Sequence, residues 1–170
     1  MTNGKSDSEP EWYGVDAAFW YRLERGAKAH FAAIRAEGGR DRLHVLPSHE
    51  VLTYRVTGMK VDGDTDLHDI TIEFHRNPPY PTGRLAPEDY PRITTSVDRK
   101  YHHQHAKQGL FRGGLCLWKW DAPCDERWTS DRPLYELFEM VRRHLLMEEY
   151  YRRYKRWPMA DIPHRSGRVA

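Results

Sequence analysis

Residues 102–121, HHQHAKQGLFRGGLCLWKWD, bring three histidines, three glycines and a cysteine into one short stretch. Three chemistries fit such a set. A structural zinc takes about four nitrogen or sulfur ligands at compact spacing. His102, His103, His105, Cys116 and Cys124 are of the right types. However, the chain has no CxxC pair, and the gaps of eleven residues (His105 to Cys116) and eight (Cys116 to Cys124) match no common finger. No metal is therefore expected. A buried structural thiol is the second option, because Cys116 lies between Leu115 and Leu117 and free cysteine is among the most buried residue types. The third is a nucleophile. Gly113 and Gly114 leave backbone open beside the thiol, and polar groups upstream can hold a developing oxyanion, as acyl transfer through a thioester requires. Residue types alone leave the second and third options open.

The elements that must position this stretch are legible along the chain. With 170 residues, 39% hydrophobic and 31% charged, it has room for one domain with a real core. From Asp16, an expected N-cap, apolar groups recur at Phe19, Trp20, Leu23, Ala27, Phe31 and Ile34, one face of a helix that Gly38 and Gly39 should stop. The pattern then changes to strands over 43–47, 50–59, 68–76 and 92–98. In 68–76, Ile70, Ile72 and Phe74 alternate with Asp69, Thr71, Glu73 and His75, giving one wet face. Short joins suggest an antiparallel meander. The segment 76–92 holds five prolines, which bars a central strand or a helix interior and predicts a stiff, extended surface crossing. A second helix should start near Thr129, Ser130, Asp131 and Pro133, carry Leu134, Leu137, Phe138, Val141 and Leu145 inward, and close at Pro158. The class is α+β.

Several functions are disfavoured at this level. The net charge of +2 gives no general attraction to nucleic acid, and the apolar runs are too short to span a bilayer. The polar, acidic start has no signal-peptide pattern and two cysteines make no disulfide framework, so a cytoplasmic, reduced setting is expected. The cluster YYRRYKRW, 150–157, reads as a solvated helix end, though it also suits phosphate or an acidic protein face.

The order of elements, the crossing FHRNPPYPTGRLAPEDYPRI, the GGLCLW segment and the helix led by RWTSDRPLYELFEMVRRHLL together resemble the ubiquitin-conjugating enzyme fold. The resemblance covers 15–164, leaving 1–14 as a flexible leader and 165–170 as a basic tail. CLWKWD, ERW, EEYYRRYKRWP and DIPH are closer to the bacterial relatives of that family, which commonly lie in anti-phage defence operons.

The resemblance implies that Cys116 accepts an acyl group from the C-terminus of a partner protein and passes it to an amine. That partner would be a ubiquitin-like protein or a nucleotidyltransferase with a glycine-ended tail. No nucleotide-binding GxGxxG or phosphate loop occurs, so a separate activating enzyme is expected and no cofactor. The family's His-Pro-Asn tripeptide is missing. Counting back from Cys116 puts its histidine near His105 and its asparagine near Gln108. His103, His105 and Gln108 are thus the candidates for orienting or oxyanion roles. Trp128 should pack the loop, and Cys124, in an insertion holding APCD, has no catalytic role. The alternatives are a non-catalytic binding scaffold of the same fold and a histidine–cysteine metal protein.

Overall fold

The computed structural model of the chain describes residues 17–48, 50–80, 82, 84–105, 113–118 and 122–158. Gln108, the expected N-cap Asp16, the leader 1–14 and the tail 165–170 lie outside these residues. The first helix, α1 (Ala17–Ala36), buries Trp20, Ala27 and Phe31, with Leu23 and Ile34 partly covered, so the apolar stripe is the core face. It ends where Gly38 turns to φ 88° and the Gly39 N–H reaches back to the Ile34 carbonyl at 2.9 Å. A glycine permits that left-handed turn at no steric cost.

Four strands follow: β1 (Arg42–Leu46), β2 (Val51–Lys60), β3 (Leu67–His75) and β4 (Arg92–Thr95). They form one antiparallel sheet in the order β1-β2-β3-β4, the expected meander. The register slips between Val56 and Met59, where Thr57 and Gly58 together oppose Asp69. Gly58 has φ 76°, and a Cβ there would stand 3.0 Å from the Arg40 carbonyl oxygen, so this bulge needs a glycine. The slip keeps Met59 on the core side with Leu52, Tyr54 and Val56. His68 sits in the buried row of β3 ahead of Ile70, Ile72 and Phe74, an inward histidine that the alternating apolar pattern did not include.

The last helix, α2 (Leu134–Tyr154), turns Leu134, Leu137, Phe138, Val141 and Leu145 into the same core. Phe31 of α1 meets Phe138 edge-on with ring centroids 5.3 Å apart, and Trp20 meets Phe74 of β3 at 4.7 Å. Trp128 is fully buried against Trp20 and Phe74, and its Nε1–H donates to the Pro133 carbonyl at 3.1 Å. Burial of such rings stabilises by several kcal/mol in total, at ~25 cal/mol per Å² of apolar surface.

Two expectations differ from what is seen. The second helix stops before Pro158: Lys155 adopts a left-handed φ of 54° and its N–H bonds the Tyr151 carbonyl at 2.8 Å, closing the helix first. The proline-rich crossing is also less superficial than five prolines suggest. Its Tyr80 and Tyr90 are buried, the Tyr80 hydroxyl donates to the Tyr90 carbonyl at 3.2 Å, and Pro87–Asp89 make one 3-10 turn. The prolines set the backbone, and the tyrosines anchor it.

Candidate functional site

β4 is the outer strand of the sheet, and the cysteine segment lies along its free side. The Leu115 N–H donates to the Ile93 carbonyl at 2.7 Å. On its other side the segment pairs antiparallel with the histidine loop at a bridge between Gln104 and Leu115. The Cys116 N–H donates to the His103 carbonyl at 3.0 Å, and the His105 N–H donates to the Gly114 carbonyl at 2.9 Å. The Gln104 side chain adds a donor from Nε2 to the Gly113 carbonyl at 2.8 Å. Gly113 has φ 75°, the conformation that turns the chain into this short ladder. The histidines and the cysteine, ten or more residues apart in sequence, therefore become neighbours by register.

The ladder borders a shallow, open cleft. Tyr90, Arg92, His105, Cys116 and Trp118 are among the residues that line it. Arg92 is held by Glu73 at 2.8 Å, and Tyr90 meets the Trp118 ring edge-on at 6.5 Å. Cys116 is half-buried, whereas Cys124 is exposed. Burial pushes the Cys116 thiol up to about 11, and burial, then the neighbouring Cys116, pushes the Tyr90 phenol up to about 12. The thiol is therefore held protonated at neutral pH. Trp118 brings a donor that residue spacing did not single out. Its indole Nε1–H is buried and has no hydrogen-bond partner among the described residues, which ordinarily costs free energy.

Of the candidate residues, Cys116 and His105 share the cleft. The His103 ring is placed elsewhere, 4.3 Å from the Trp157 ring centroid and 6.2 Å from that of His144, so its link to Cys116 is through the main chain. Glu148 of α2 lies beneath this loop and accepts the N–H groups of both His102 and His103, each at 2.6 Å. Among the described residues no group of three or more His, Cys, Asp or Glu side chains is arranged to hold a metal ion.

The basic cluster at the end of α2 is partly neutralised from within. Arg152 grips Glu149 with two hydrogen bonds of 2.7 Å, and Arg153 adds a third at 2.7 Å. Glu149 joins Arg99, Asp64 and His68 in a network that ties the β2–β3 turn to α2. No helix among the described residues is long and apolar enough to cross a membrane.

No family model matches the chain, and no curated protein matches it.

Proposed function

We propose that this chain is a ubiquitin-conjugating-like acyl carrier of the bacterial type, with Cys116 as the thiol that receives the C-terminus of a partner protein. The observation that carries the reading is the placement of Cys116. It follows Gly113 and Gly114 on a segment laid along the outer strand of a four-stranded meander, ahead of the second helix, with His105 in the same cleft. The order of these elements is the one the ubiquitin-conjugating resemblance implies around an acyl-accepting cysteine.

The chemistry runs in two displacements. The Cys116 sulfur attacks the carbonyl carbon of the partner's C-terminal thioester on a separate activating enzyme. A new C–S bond forms, the enzyme's C–S bond breaks, and the proton lost by Cys116 ends on the departing thiol. An amine of the target, a lysine ε-amine in the simplest case, then attacks the Cys116 thioester, forming an amide and returning the thiol. Each step passes through a tetrahedral oxyanion. His105, which lines the same cleft, is the residue we assign to orient the attacking group. Gln108 remains the family-derived candidate for the asparagine's role. The partner is a ubiquitin-like protein or a nucleotidyltransferase with a glycine-ended tail, in the anti-phage setting of the bacterial relatives. The chain acts in the cytoplasm and needs no cofactor.

A second reading, a binding scaffold of the same fold, is favoured by one observation: burial keeps the Cys116 thiol protonated, with a pKa of about 11. One experiment separates the two. The chain is incubated with its activating enzyme, the partner protein and ATP, and run on a non-reducing gel. The carrier reading predicts an adduct that thiol reductant removes, that Cys116→Ala abolishes and that Cys124→Ala keeps. The scaffold reading predicts partner binding without any adduct.

A further inference from the structure

Glutamate on a helix ordinarily faces water, yet the Glu148 side chain is 5% exposed. Its two oxygens are both engaged. Oε2 accepts the His102 N–H and Oε1 accepts the His103 N–H, each at 2.6 Å. Two consecutive peptide donors on one carboxylate fix the loop in both position and rotation. Charge-assisted bonds of this length are about twice as strong as neutral ones. Rings from α2 and the turn after it pack on the same two histidines. Tyr151 stacks on His102 with centroids 4.0 Å apart, and Trp157 packs on His103 at 4.3 Å. The end of α2 therefore grips residues 102 and 103 through a polar centre and an aromatic rim.

What those residues hold in turn is the cysteine segment. The His103 carbonyl accepts the Cys116 N–H at 3.0 Å, and the next rung joins His105 to Gly114 at 2.9 Å. We propose that Glu148 is the positioning residue of the Cys116 loop, a clamp from α2 that sets where the thiol stands in its cleft. The consequence for acyl transfer rests on the reading of Cys116 as the carrier thiol; the clamp itself does not. The titratable groups facing Glu148 are His144 on its own helix, with Nε2 at 3.5 Å, and His102, His103 and Tyr101 from the loop. Burial raises the Glu148 carboxyl, but His144 and the two peptide N–H groups outweigh it and hold it below the ordinary glutamate value. The clamp is thus charged throughout the neutral range.

The test uses the full chain carrying Glu148→Gln, which keeps the shape and replaces one acceptor oxygen by an NH₂. Amide exchange at His102, His103 and Cys116 should accelerate on the order of ten- to hundredfold, as loss of a charge-assisted hydrogen bond implies, while amides of β2 and β3 keep their protection. Iodoacetamide should then alkylate Cys116 faster relative to the exposed Cys124, while thioester formation slows. Unchanged exchange at His102 and His103 in the folded variant overturns the clamp, and loosened amides with unaltered Cys116 alkylation overturn its positioning role. If the variant does not fold, the unaltered chain supplies the measurement. The His102 and His103 amide resonances must shift together with the Glu148 carboxyl carbon on acid titration, with a midpoint below that of an ordinary glutamate. Amides that do not follow Glu148 overturn the proposal. Absence of a thioester in the unaltered chain would remove the carrier reading and leave these amide results standing.

Discussion

The peptide N–H of Cys116 bonds the carbonyl of His103 at 3.0 Å, while the His103 ring packs against Trp157, 4.3 Å between centroids. Main chain and side chain of one histidine thus serve different ends. The carbonyl holds the candidate nucleophile, and the ring closes the aromatic cluster at the end of α2. His105, two residues on, is the histidine that lines the cleft.

A pair of substitutions should separate these roles. His103→Ala leaves the carbonyl in place and empties part of the aromatic cluster, costing about 1–3 kcal/mol of stability, with thioester formation largely retained once the protein is folded. His105→Ala should cost under about 1 kcal/mol and slow thioester formation and discharge by about 10²-fold. Urea unfolding and single-turnover kinetics on both variants check this. The reverse pattern would place the working imidazole at His103.

Stability should fall on the alkaline side. Burial raises the Cys116 thiol from 9.0 to about 11, and burial leads in raising the Tyr90 and Tyr101 phenols from 10.0 to about 12, with Tyr80 raised further. Each folded pKa lies above the unfolded one, so the unfolded chain loses its protons first as pH rises. The stabilisation is complete below the ordinary values and lost as pH climbs through the folded ones. Cys116 alone contributes on the order of 2 kcal/mol. Melting temperatures taken from about pH 8 to about pH 11 should decline, and Cys116→Ala should flatten the first part of that decline.

The Asp64 network should dominate the acid side. Burial raises this carboxyl, but the Asp66 N–H, His68 and Arg99 outweigh it and bring it to about 2, below its ordinary 3.8. A depressed folded pKa gives stability that is present above the unfolded value and lost as pH falls through about 2. The Asp64 and His68 side chains are 4% and 1% exposed, so Asp64→Asn leaves His68 without its carboxylate inside the fold and takes from Arg99 the closer of its buried partners, Asp66 and Glu149 remaining. The expected loss is about 3 kcal/mol by denaturant unfolding at neutral pH. An unchanged unfolding midpoint would reduce the network to a surface feature.

These features mark where residue patterns stop being informative. The stripe from Trp20 to Ile34 and the alternation from Ile70 to Phe74 were legible because apolar burial follows the local period of the backbone. Glu148, Asp64 and His68 were not, since a charged or polar residue at an inward position is stable only if other groups, here mostly distant ones, satisfy it. Those groups are peptide donors 45 and 46 residues away for Glu148 and an arginine 35 residues away for Asp64. Lys155 closes α2 in a left-handed turn that a lysine seldom adopts, so Pro158 was the more visible stop. Cys116 was legible as a thiol beside two glycines with its role left open, and His105 came only from counting back along the ubiquitin-conjugating resemblance. The split between the His103 ring and carbonyl depends on a register that spacing does not carry.

Charge reversal at the end of α2 should also divide by position. Arg152 is bound twice to Glu149, whose side chain is 3% exposed. Arg152→Glu should therefore lower stability by about 1 kcal/mol, Arg153 retaining part of the interaction. The exposed Arg156 should tolerate Arg156→Glu in the fold while weakening partner binding, most visibly at low salt. Binding measured across ionic strength checks this. Equal affinity for the unaltered chain and Arg156→Glu at low salt would leave that end of the helix as a solvated face.

The central claim is that Cys116 carries the acyl group, and a trapped adduct tests it most directly. Cys116→Ser replaces the thiol by a hydroxyl, whose ester with the partner's C-terminus resists thiol reductant. After incubation with activating enzyme, partner protein and ATP, the adduct is digested and its cross-linked peptide mapped by mass spectrometry. The account predicts one branched peptide, with the partner's terminal carbonyl on Ser at position 116 in the variant and on the Cys116 sulfur in the unaltered chain under non-reducing conditions. A branch at Cys124 or at a lysine, or an adduct that forms equally in Cys116→Ala, would contradict it.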